Sequence, residues 1–536
     1  MGNACTNRSK RDIIIPSKIM ERPKIQNRLQ NIEPENPKND MSPTSHGKQS
    51  NITPQTSGEK QKKSPSSPYV DNNDKTRSTV HSSPSKIDIS SLRIGKYYLE
   101  NENKESPTRI SAAQKNKTRK NNAKWDKIFV KERKGILISS PDSLYNETDL
   151  SLREFAIVKQ RKYRKLLRKG IPQQYRWSVW KNHIEIDKFY EKGLYEKFQT
   201  LSSTWEEDIR KDVHRTFPHE PYFSSEKHDK IGQKHLFNVL KALSLYLPHI
   251  GYAQSMNYIV AFLLLVNGGK DEEAFWMFVS LARDHRFLAM GLFEKQFPLL
   301  EFYTFIFYEI LQHKLPDLYK HIKNQNFPDL LWLFKWFLTI FLYSFPPKQV
   351  LRIWDFILVR GLFSMIQVAL GVVEFIEKDM LRLDTPGMDT LFKYLKGETY
   401  LIDSSGNRIP LVDDQQNKNS QYHFKKLDII KILKYAEKTH IGLQKISSFA
   451  ASYSIKTGKS LPILYENFFR DWYKIKDNKD KLSEFQSEID AYITKNGTSE
   501  KIKPREEPEQ EKEKTEEVLN FENVNVIKIN HTNERV

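Results

Sequence analysis

The sequence predicts an all-α protein, and two observations carry this prediction. From Trp125 onward, apolar side chains recur at spacings of three and four residues over helix-length segments. No stretch combines alternating apolar residues with the turn residues of a hairpin. The chain has 536 residues, 29% of them charged, and its mean hydropathy is −0.66. The length gives room for two or three domains, and the composition indicates that much of the chain lies outside a packed core.

The N-terminal part of the chain has the composition of a disordered extension. Residues 1–124 are rich in Ser, Asn, Lys and Pro, and no apolar period persists there. Six Ser-Pro pairs occur within the first 141 residues. They fit a Pro-rich linker, and the alternative interpretation is a set of phosphorylation sites that would subtract positive charge. Residues 125–165 are then predicted to form a helical lead-in segment.

Four segments of the central region predict its helices. In residues 151–170 six apolar side chains fall roughly on one side, and Gly170 is a stop signal. Residues 234–248 repeat this pattern, and residues 272–285 place acidic residues first and basic residues last, which suits the helix dipole. Residues 330–345 are apolar on nearly every side, which predicts one central buried helix.

The same patterns divide the rest of the chain. The helical domain is predicted to span residues 166–385, and residues 386–422 are predicted to form a loop. Residues 423–499 contain further amphipathic segments and predict C-terminal helices. Residues 500–536 form a charge-rich tail.

The net charge of +19 has two possible explanations. In residues 1–120, 23 Lys and Arg face 12 Asp and Glu, and they are spread thinly among Ser, Asn and Pro. No zinc-finger or RNP-like motif accompanies them, so we do not expect nucleic-acid binding. A diffusely basic extension beside an anionic membrane explains the surplus equally well. The single cysteine excludes a disulfide framework and any zinc site built from cysteines.

The first ten residues, MGNACTNRSK, predict lipid attachment. Gly2 followed by a hydroxyl residue at Thr6 is the pattern for N-myristoylation after removal of Met1. Cys5, the only cysteine in the chain, is a candidate for palmitoylation. Two acyl chains anchor a protein stably where one does not, and nearby basic residues add attraction to anionic lipid. The alternative is a chance arrangement.

Lipid is the only membrane anchor that the sequence predicts. No apolar run reaches the ~18 residues of a spanning helix, and the nearest, residues 336–345, is shorter. The first ten residues are polar and charged, so no secretory signal is present. We therefore expect a protein of the cytoplasm and of the cytoplasmic face of membranes.

The common enzymatic signatures are missing. Gly268-Gly269-Lys270 lacks the spaced first glycine and the following Ser or Thr of a phosphate-binding loop. No GxSxG, HExxH or GxGxxG occurs, and the 14 histidines are scattered, so no metal site is predicted. Two polar clusters, about 40 residues apart, remain as candidates.

The first cluster is WEEDIRKDVHRTFP, residues 205–218. Asp212 and Arg215 are three apart on a helix, so the carboxylate can steady the guanidinium. Pro218 disfavours helical geometry at the residue before it, which puts Arg215 near the end of the helix. By itself, a cation at this end also fits simple compensation of the helix dipole.

The second cluster is YLPHIGYAQSMNYIVAFLLLV, residues 246–266. Pro248 and Gly251 end one helix and a second helix starts at Tyr258, which leaves Gln254 at the junction. Taken alone, a glutamine at such a junction is an ordinary capping or solvent-facing residue.

Together and in this order, these stretches resemble the TBC domain of Rab GTPase-activating proteins. The likeness runs from about Gly170 to Gly361 and rests on five ordered motifs. They are GIPQQYRWSVW (170–180), IRKDVHR (209–215), GYAQSMN (251–257), EEAFWMF (272–278) and WFLTIFLYSFPPKQVLRIWDFIL (336–358).

The resemblance implies a mechanism in which two side chains enter the nucleotide site of a GTP-loaded Rab. Arg215 falls on the arginine finger of the family and Gln254 on its glutamine finger. The protein would then be no enzyme by itself but an activator of the Rab's own GTP hydrolysis, with a role in membrane trafficking. It would need no cofactor beyond the GTP and Mg²⁺ that the Rab binds.

The resemblance also implies supporting residues around the fingers. Asp212 and Tyr252 would hold the fingers in place, and Arg176 would join Asp212 in that support. One residue departs from the family pattern, since Ser255 stands where the family usually has glycine. If that position has positive φ, serine strains the loop, whereas serine costs little if the glycine serves only close approach of the Rab.

Two functions of different class follow. The first is an active Rab GTPase activator, and the second is a TBC-fold adaptor that binds a Rab at membranes without accelerating hydrolysis. The identity of the Rab, the membrane, the oligomeric state and the role of the C-terminal helices do not follow from the sequence.

Overall fold

The structure is a computed structural model, and all its described residues lie in one compact unit. They are residues 112–129, 143–224, 226, 229–398, 400–402, 408–411, 424–439, 441–475 and 478–498. The predicted acylation sites, Gly2 and Cys5, lie outside the described residues, as do the Ser-Pro pairs and the charged tail.

Twenty α-helices occupy most of the described residues. In chain order they are α1 Ala112–Phe129, α2 Glu147–Val158, α3 Gln160–Lys169, α4 Gln173–Ile184, α5 Leu194–Thr200, α6 Glu206–Arg215, α7 Pro221–Ser224, α8 Ile231–Tyr246, α9 Met256–Asn267, α10 Asp271–Arg283, α11 Pro298–Lys314, α12 Pro316–Asn324, α13 Leu333–Leu338, α14 Pro347–Arg360, α15 Ser364–Leu381, α16 Thr385–Lys396, α17 Ile429–Lys438, α18 Leu443–Thr457, α19 Ile463–Ile475 and α20 Lys479–Thr498.

One small hairpin is the exception to the helical architecture of the described residues. Strand β1 (Tyr400–Ile402) pairs antiparallel with β2 (Arg408–Pro410), and Leu401 lies opposite Ile409. The all-α class is therefore confirmed. Short 3₁₀ turns connect some of the helices, at Ile186–Lys188, Ala289–Leu292 and Asp329–Leu331.

The centre of the core is helix α9, all of whose residues are buried. It contacts α4, α6, α8 and α10, which fits a helix that is apolar all round. Next to it, the rings of Trp180, Phe262 and Trp354 form a cluster with centroids 5.0–6.0 Å apart. This cluster joins α4, α9 and α14, and so fixes the helices around the two finger candidates.

The C-terminal helices pack on this core. Helix α17 lies along α15, α18 contacts α11 and α19, and α20 contacts α19. Arg283, at the end of α10, pairs with Asp490 of α20 at 2.6 Å. In the structure these helices therefore form part of the same compact unit as the central domain.

The predicted boundary of the N-terminal extension is wrong at its inner end. Helix α1 starts at Ala112, whereas the extension was predicted to reach residue 124. Trp125 is fully buried, and its indole nitrogen donates a hydrogen bond to the carbonyl of Gly170 at 3.2 Å. The polar composition of residues 112–124 hides this helix, because one buried aromatic residue near its end holds it on the domain.

Two predicted helices are broken in the structure. The segment 151–170 is divided at Lys159, whose backbone leaves helical geometry at φ −122° and ψ 42°. The segment 330–345 contains a 3₁₀ turn, α13, and then Ile340 and Phe341 at positive φ. Trp354 donates a hydrogen bond to the carbonyl of Ile340 at 3.0 Å. An apolar pattern alone does not distinguish a continuous buried helix from a buried turn held by such a tertiary bond.

The loop predicted at residues 386–422 is also partly wrong. Helix α16 occupies its first part, and Asp384 caps that helix by accepting a hydrogen bond from the amide of Gly387 at 2.9 Å. The hairpin of β1 and β2 follows. A proline lies in the first turn of α16, where proline is well tolerated.

Within the part of the chain that the structure describes, no helix is both long and apolar enough to cross a membrane.

Candidate functional site

Helix α6 presents Arg215 at its C-terminal end. Three acidic residues occupy its first turn and two basic residues its last, as the helix dipole favours. The helix ends where predicted, because Thr216 is its C-cap and Phe217 has a φ of 45° directly before Pro218. The Arg215 side chain is 31% exposed. It therefore reaches solvent while its base stays anchored in the domain.

A buried carboxylate holds this arginine. Asp212 is 7% exposed and lies 2.6 Å from the Arg215 guanidinium. Its other oxygen accepts a hydrogen bond from the hydroxyl of Tyr252. Burial, followed by the charge of Asp212, raises the pKa of Tyr252 well above its usual value, so the phenol stays protonated and donates. Asp212 thus joins the helix of Arg215 to the loop of Gln254.

The second finger candidate lies on the short loop between α8 and α9. Gln254 is partly exposed, and its side chain makes no hydrogen bond to another described residue. Three residues before it, Gly251 has a φ of 66° and packs directly on the indole of Trp205. Trp205 is the N-cap residue of α6. The loop of Gln254 therefore rests on the start of the helix that ends in Arg215.

Ser255 has the backbone conformation that favours glycine. Its φ is 92° and its ψ is −25°, in the left-handed region. The residue is fully buried, and its hydroxyl is without a hydrogen-bond partner among the described residues. Of the two alternatives for this position, the structure thus has the one with positive φ. An L-residue there is strained, at a cost on the order of 1–3 kcal/mol.

A second connection between the segments of Arg215 and Gln254 was not predicted from the sequence. The hydroxyl of Thr216 donates to the carbonyl of Asp212 at 2.6 Å and accepts from the amide of Asn257 at 2.7 Å. The carbonyl oxygen of the Asn257 side chain accepts from the backbone amide of Ser255 at 3.0 Å. Both side chains are buried. The only sequence signal was the position of Asn257 inside the GYAQSMN motif.

A buried glutamate, Glu294, contacts the chain segment that leads into the loop of Gln254. Glu294 accepts a hydrogen bond from the hydroxyl of Tyr492 at 3.3 Å and lies 3.6 Å from a ring nitrogen of His249. Burial raises the pKa of Glu294 to about 7, and the hydrogen bond from Tyr492 opposes that rise. Tyr492 belongs to α20, so the C-terminal helix contacts the chain segment that leads into the loop.

Arg176 is the third residue to which the resemblance assigns a supporting role. It is buried and pairs with Asp355 at 3.0 Å instead of with Asp212. Asp355 also accepts from the indole of Trp180 at 3.1 Å. Arg176 joins α4 to α14, and this contact supports the core next to the fingers.

The geometry combines a fixed cation with an unengaged amide. The guanidinium of Arg215 is oriented by a buried carboxylate, and Gln254 offers both a donor and an acceptor at the surface. Such a pair suits an anionic, water-containing site on a partner. The described residues include no group of three or more His, Cys, Asp or Glu side chains able to hold a metal ion.

The chain matches a known family over the part that carries these residues. Residues 173–381 match the model of the Rab-GTPase-TBC domain. Residues 173–381 therefore carry a Rab-GTPase-TBC domain, as the motifs predicted. The matched range includes Arg215, Gln254 and the residues that connect them.

Several named proteins are similar to the chain over this range. It is 34% identical over 230 residues to the human "Ecotropic viral integration site 5 protein homolog", which covers 43% of this chain and 28% of the relative. It is 32% identical over 252 residues to "Rab GTPase-activating protein eat-17" of Caenorhabditis elegans, and this match covers 47% of this chain and 28% of the relative. It is 32% identical over 238 residues to "TBC1 domain family member whacked" of Drosophila melanogaster, and this match covers 41% of this chain and 60% of the relative. The match thus spans less than two thirds of each relative.

Two solved structures are also similar. The crystal structure of the Chlamydomonas flagellar RabGAP TBC domain shares 23% identity at a TM-score of 0.38, covering 54% of this chain and 91% of that chain. The Ypt/Rab-GAP domain of Gyp1p shares 16% identity at a TM-score of 0.39, and the match covers 59% of this chain and 96% of that chain.

Proposed function

We propose that this chain is a GTPase-activating protein for a Rab-family small GTPase and that it acts in membrane trafficking. The observation that carries the proposal is the shared support of Arg215 and the Gln254 loop by Asp212, inside a TBC domain. Two residues that act on one reacting group must be held in a fixed relation. Asp212 provides that relation with one carboxylate.

Arg215 is proposed to stabilise charge in the transition state. GTP hydrolysis places charge on the oxygens around the transferred phosphoryl group, and a guanidinium neutralises it with permanently charged donors. An arginine finger is typically worth about 10³–10⁵ in rate. The salt bridge to Asp212 restricts the side chain before the Rab binds, which lowers the entropy lost on docking.

Gln254 is proposed to orient the attacking water. Its amide can accept a hydrogen bond from the water and donate one to a phosphate oxygen. The hydrogen bond from the Ser255 amide to Asn257 and the packing of Gly251 on Trp205 hold the loop on both sides. The amide is thereby presented by a constrained backbone, as a positioning role requires.

The second candidate function is a Rab-binding adaptor with little activity. One observation favours it, the positive φ of Ser255 where the family usually has glycine. If relief of this strain shifts the loop when a Rab docks, Gln254 is misplaced and hydrolysis is slow although binding persists.

Single-turnover GTP hydrolysis across a panel of Rabs tests the proposal. The full chain should accelerate one or a few Rabs, and Arg215→Ala should abolish that acceleration while Rab binding persists. Arg210→Ala is the matched control, because Arg210 lies on the same helix and pairs with Glu206 at 3.0 Å. The proposal fails if no Rab is accelerated. Binding of a Rab without acceleration would favour the adaptor.

Attachment to membranes through acyl chains on Gly2 and Cys5 is proposed on the sequence pattern alone. Rabs act on membranes, so an anchored activator would search in the plane of its substrate. Gly2→Ala should lower the fraction of the protein that sediments with the membranes of a cell lysate. Membrane association undiminished in that variant would refute this part of the proposal.

A further inference from the structure

Helix α3 carries a dense array of positive charge on its outer side. Its sequence, QRKYRKLLRK, contains six basic residues and no acidic residue. Tyr163 and Leu166 are buried, whereas most of the basic side chains are exposed. The exposed ones are Arg161, Lys162, Lys165, Arg168 and Lys169.

The position of some of these charges runs against helix stability. Arg161 and Lys162 occupy the first turn of α3, where the helix dipole disfavours cations. Lys162 lies over the ring of Phe155, but Arg161 makes no ion pair with another described residue. The fold itself therefore gives no reason for a charge at Arg161.

Helix α1 extends the same array. Four basic side chains are exposed on it: Arg119, Lys120, Lys124 and Lys127. None of the four makes an ion pair with another described residue. The one acidic residue of α1, Asp126, accepts a hydrogen bond from the hydroxyl of Tyr175 at 2.8 Å.

The two helices are directly joined. The rings of Trp125 and Tyr163 meet edge to face with centroids 6.2 Å apart. The side-chain amide of Asn121 donates to the carbonyl of Gly170, directly after α3, at 2.9 Å. The exposed basic side chains of α1 and α3 therefore belong to one continuous part of the folded domain, which we call the basic surface.

We propose that the basic surface docks the folded domain on an anionic lipid membrane. Its positive charge complements an anionic leaflet. Each Lys or Arg near such a leaflet raises the partition coefficient of a protein between water and membrane roughly fivefold. It also follows directly on residues 1–111, which are themselves basic. A contact made by the folded domain would limit its orientation on the membrane, which a flexible anchor alone does not.

Lipid fits the basic surface better than nucleic acid does. Single-stranded nucleic acid is bound by exposed aromatic rings on which bases stack. In α1 and α3 the aromatic rings of Trp125 and Tyr163 are buried and pack on each other. Most of the exposed side chains described on the two helices are long cations, which suit a fluid layer of charged headgroups.

Vesicle co-sedimentation of the full chain, produced without acylating enzymes, tests the proposal. The probe is phosphatidylserine-rich vesicles, with pure phosphatidylcholine vesicles as reference. The test variant combines Lys120→Gln, Lys124→Gln, Arg161→Gln and Lys165→Gln, which replace exposed side chains without an ion pair to a described residue. We expect the wild type to bind the anionic vesicles, less so at high salt, and the variant to bind at least about tenfold more weakly.

A matched control removes the same charge elsewhere. It combines Lys295→Gln, Lys320→Gln, Lys445→Gln and Lys481→Gln, all exposed and outside α1 and α3. We expect less than a twofold effect on vesicle binding. Equal weakening by both sets, or none by the test set, would overturn the proposal, as would binding of RNA in preference to vesicles. Hydrolysis of GTP by a soluble Rab should be unchanged in both, so this result is independent of the proposed activity.

Discussion

The hydroxyl of Tyr252 donates a hydrogen bond to Asp212, and the same carboxylate pairs with Arg215 at 2.6 Å. Tyr252 lies two residues before Gln254. One buried acidic side chain therefore connects both residues proposed to act on the nucleotide. A change at Tyr252 should consequently be felt at Arg215, although the two side chains lie on different elements.

Tyr252→Phe removes this hydrogen bond and keeps the ring. A hydrogen bond to a charged group is worth about 1.5–3 kcal/mol, so we expect a loss of about tenfold or more in the rate of Rab-stimulated hydrolysis. Rab affinity should change by less than about twofold, because the phenol is buried. Tyr195→Phe is the control, since Tyr195 is a buried tyrosine bonded to Asp271 at 3.0 Å. Equal rates in wild type and Tyr252→Phe would contradict the support assigned to Tyr252.

Ser255→Gly should stabilise the protein. The substitution relieves positive φ and removes a buried hydroxyl without a partner among the described residues. Glycine also adds conformational entropy to the unfolded chain, which offsets part of this gain. We therefore expect the free energy of unfolding to rise by a net amount of about 1 kcal/mol. Urea denaturation measures it. Ser255→Ala is the control, because it removes the hydroxyl but keeps the Cβ at positive φ. If Ser255→Gly is no more stable than Ser255→Ala, the backbone at this position is not strained.

Gly251→Ala should be far more damaging than the same change at another glycine of positive φ. At Gly251 an added Cβ would overlap the indole of Trp205, whereas at Gly268 no atom lies within 4 Å of it. We expect Gly268→Ala to cost about 1 kcal/mol from its backbone conformation. Gly251→Ala should cost at least about 2 kcal/mol more and also slow hydrolysis, because Trp205 supports both fingers. Similar unfolding free energies for the two variants would argue against that contact.

Glu294 should make stability depend on pH. Its pKa is raised by burial to about 7 from an ordinary value of 4.5. Between these values the folded chain keeps a proton that the unfolded chain releases, so the free energy of unfolding falls as the pH rises through this window. The full difference corresponds to about 3 kcal/mol.

Glu294→Gln removes the contribution of Glu294 to the pH dependence of stability. Between pH 5 and pH 8 the variant should therefore gain stability relative to the wild type, by up to about 3 kcal/mol in urea denaturation. The exposed Glu488→Gln on α20 serves as control and should follow the wild type. A stability difference between wild type and Glu294→Gln that is constant with pH would rule out the raised pKa.

The sequence predicted the features that depend on local patterns. The all-α class, the end of α6 at Arg215 and the junction that carries Gln254 all follow from spacing, Pro and Gly within a few residues. The family resemblance assigned roles to these two residues because ordered motifs fixed their positions. The salt bridge between Asp212 and Arg215 is likewise a contact three residues apart on one helix.

Contacts between distant elements could not be predicted in the same way. Thr216 and Asn257 are 41 positions apart in the sequence and meet only because α6 and α9 pack together. The pairing of Arg176 with Asp355 spans 179 positions and has no signal in the local sequence pattern. The turn at Ile340 depends on a hydrogen bond from Trp354. Each needs a tertiary partner that periodicity does not specify.

The measurement that tests the central claim most directly is a double-mutant cycle on GTP hydrolysis. The substrate is one Rab whose GTP hydrolysis the wild type accelerates. The rate of hydrolysis would be measured at a saturating concentration of the wild type, of Arg215→Ala, of Gln254→Ala and of the double variant. We expect each single substitution to remove about 10³-fold or more of the acceleration, and the double variant to lose little beyond that, because the two side chains act as a unit. A variant lacking Arg215 or Gln254 that still accelerates hydrolysis like the wild type would contradict the account.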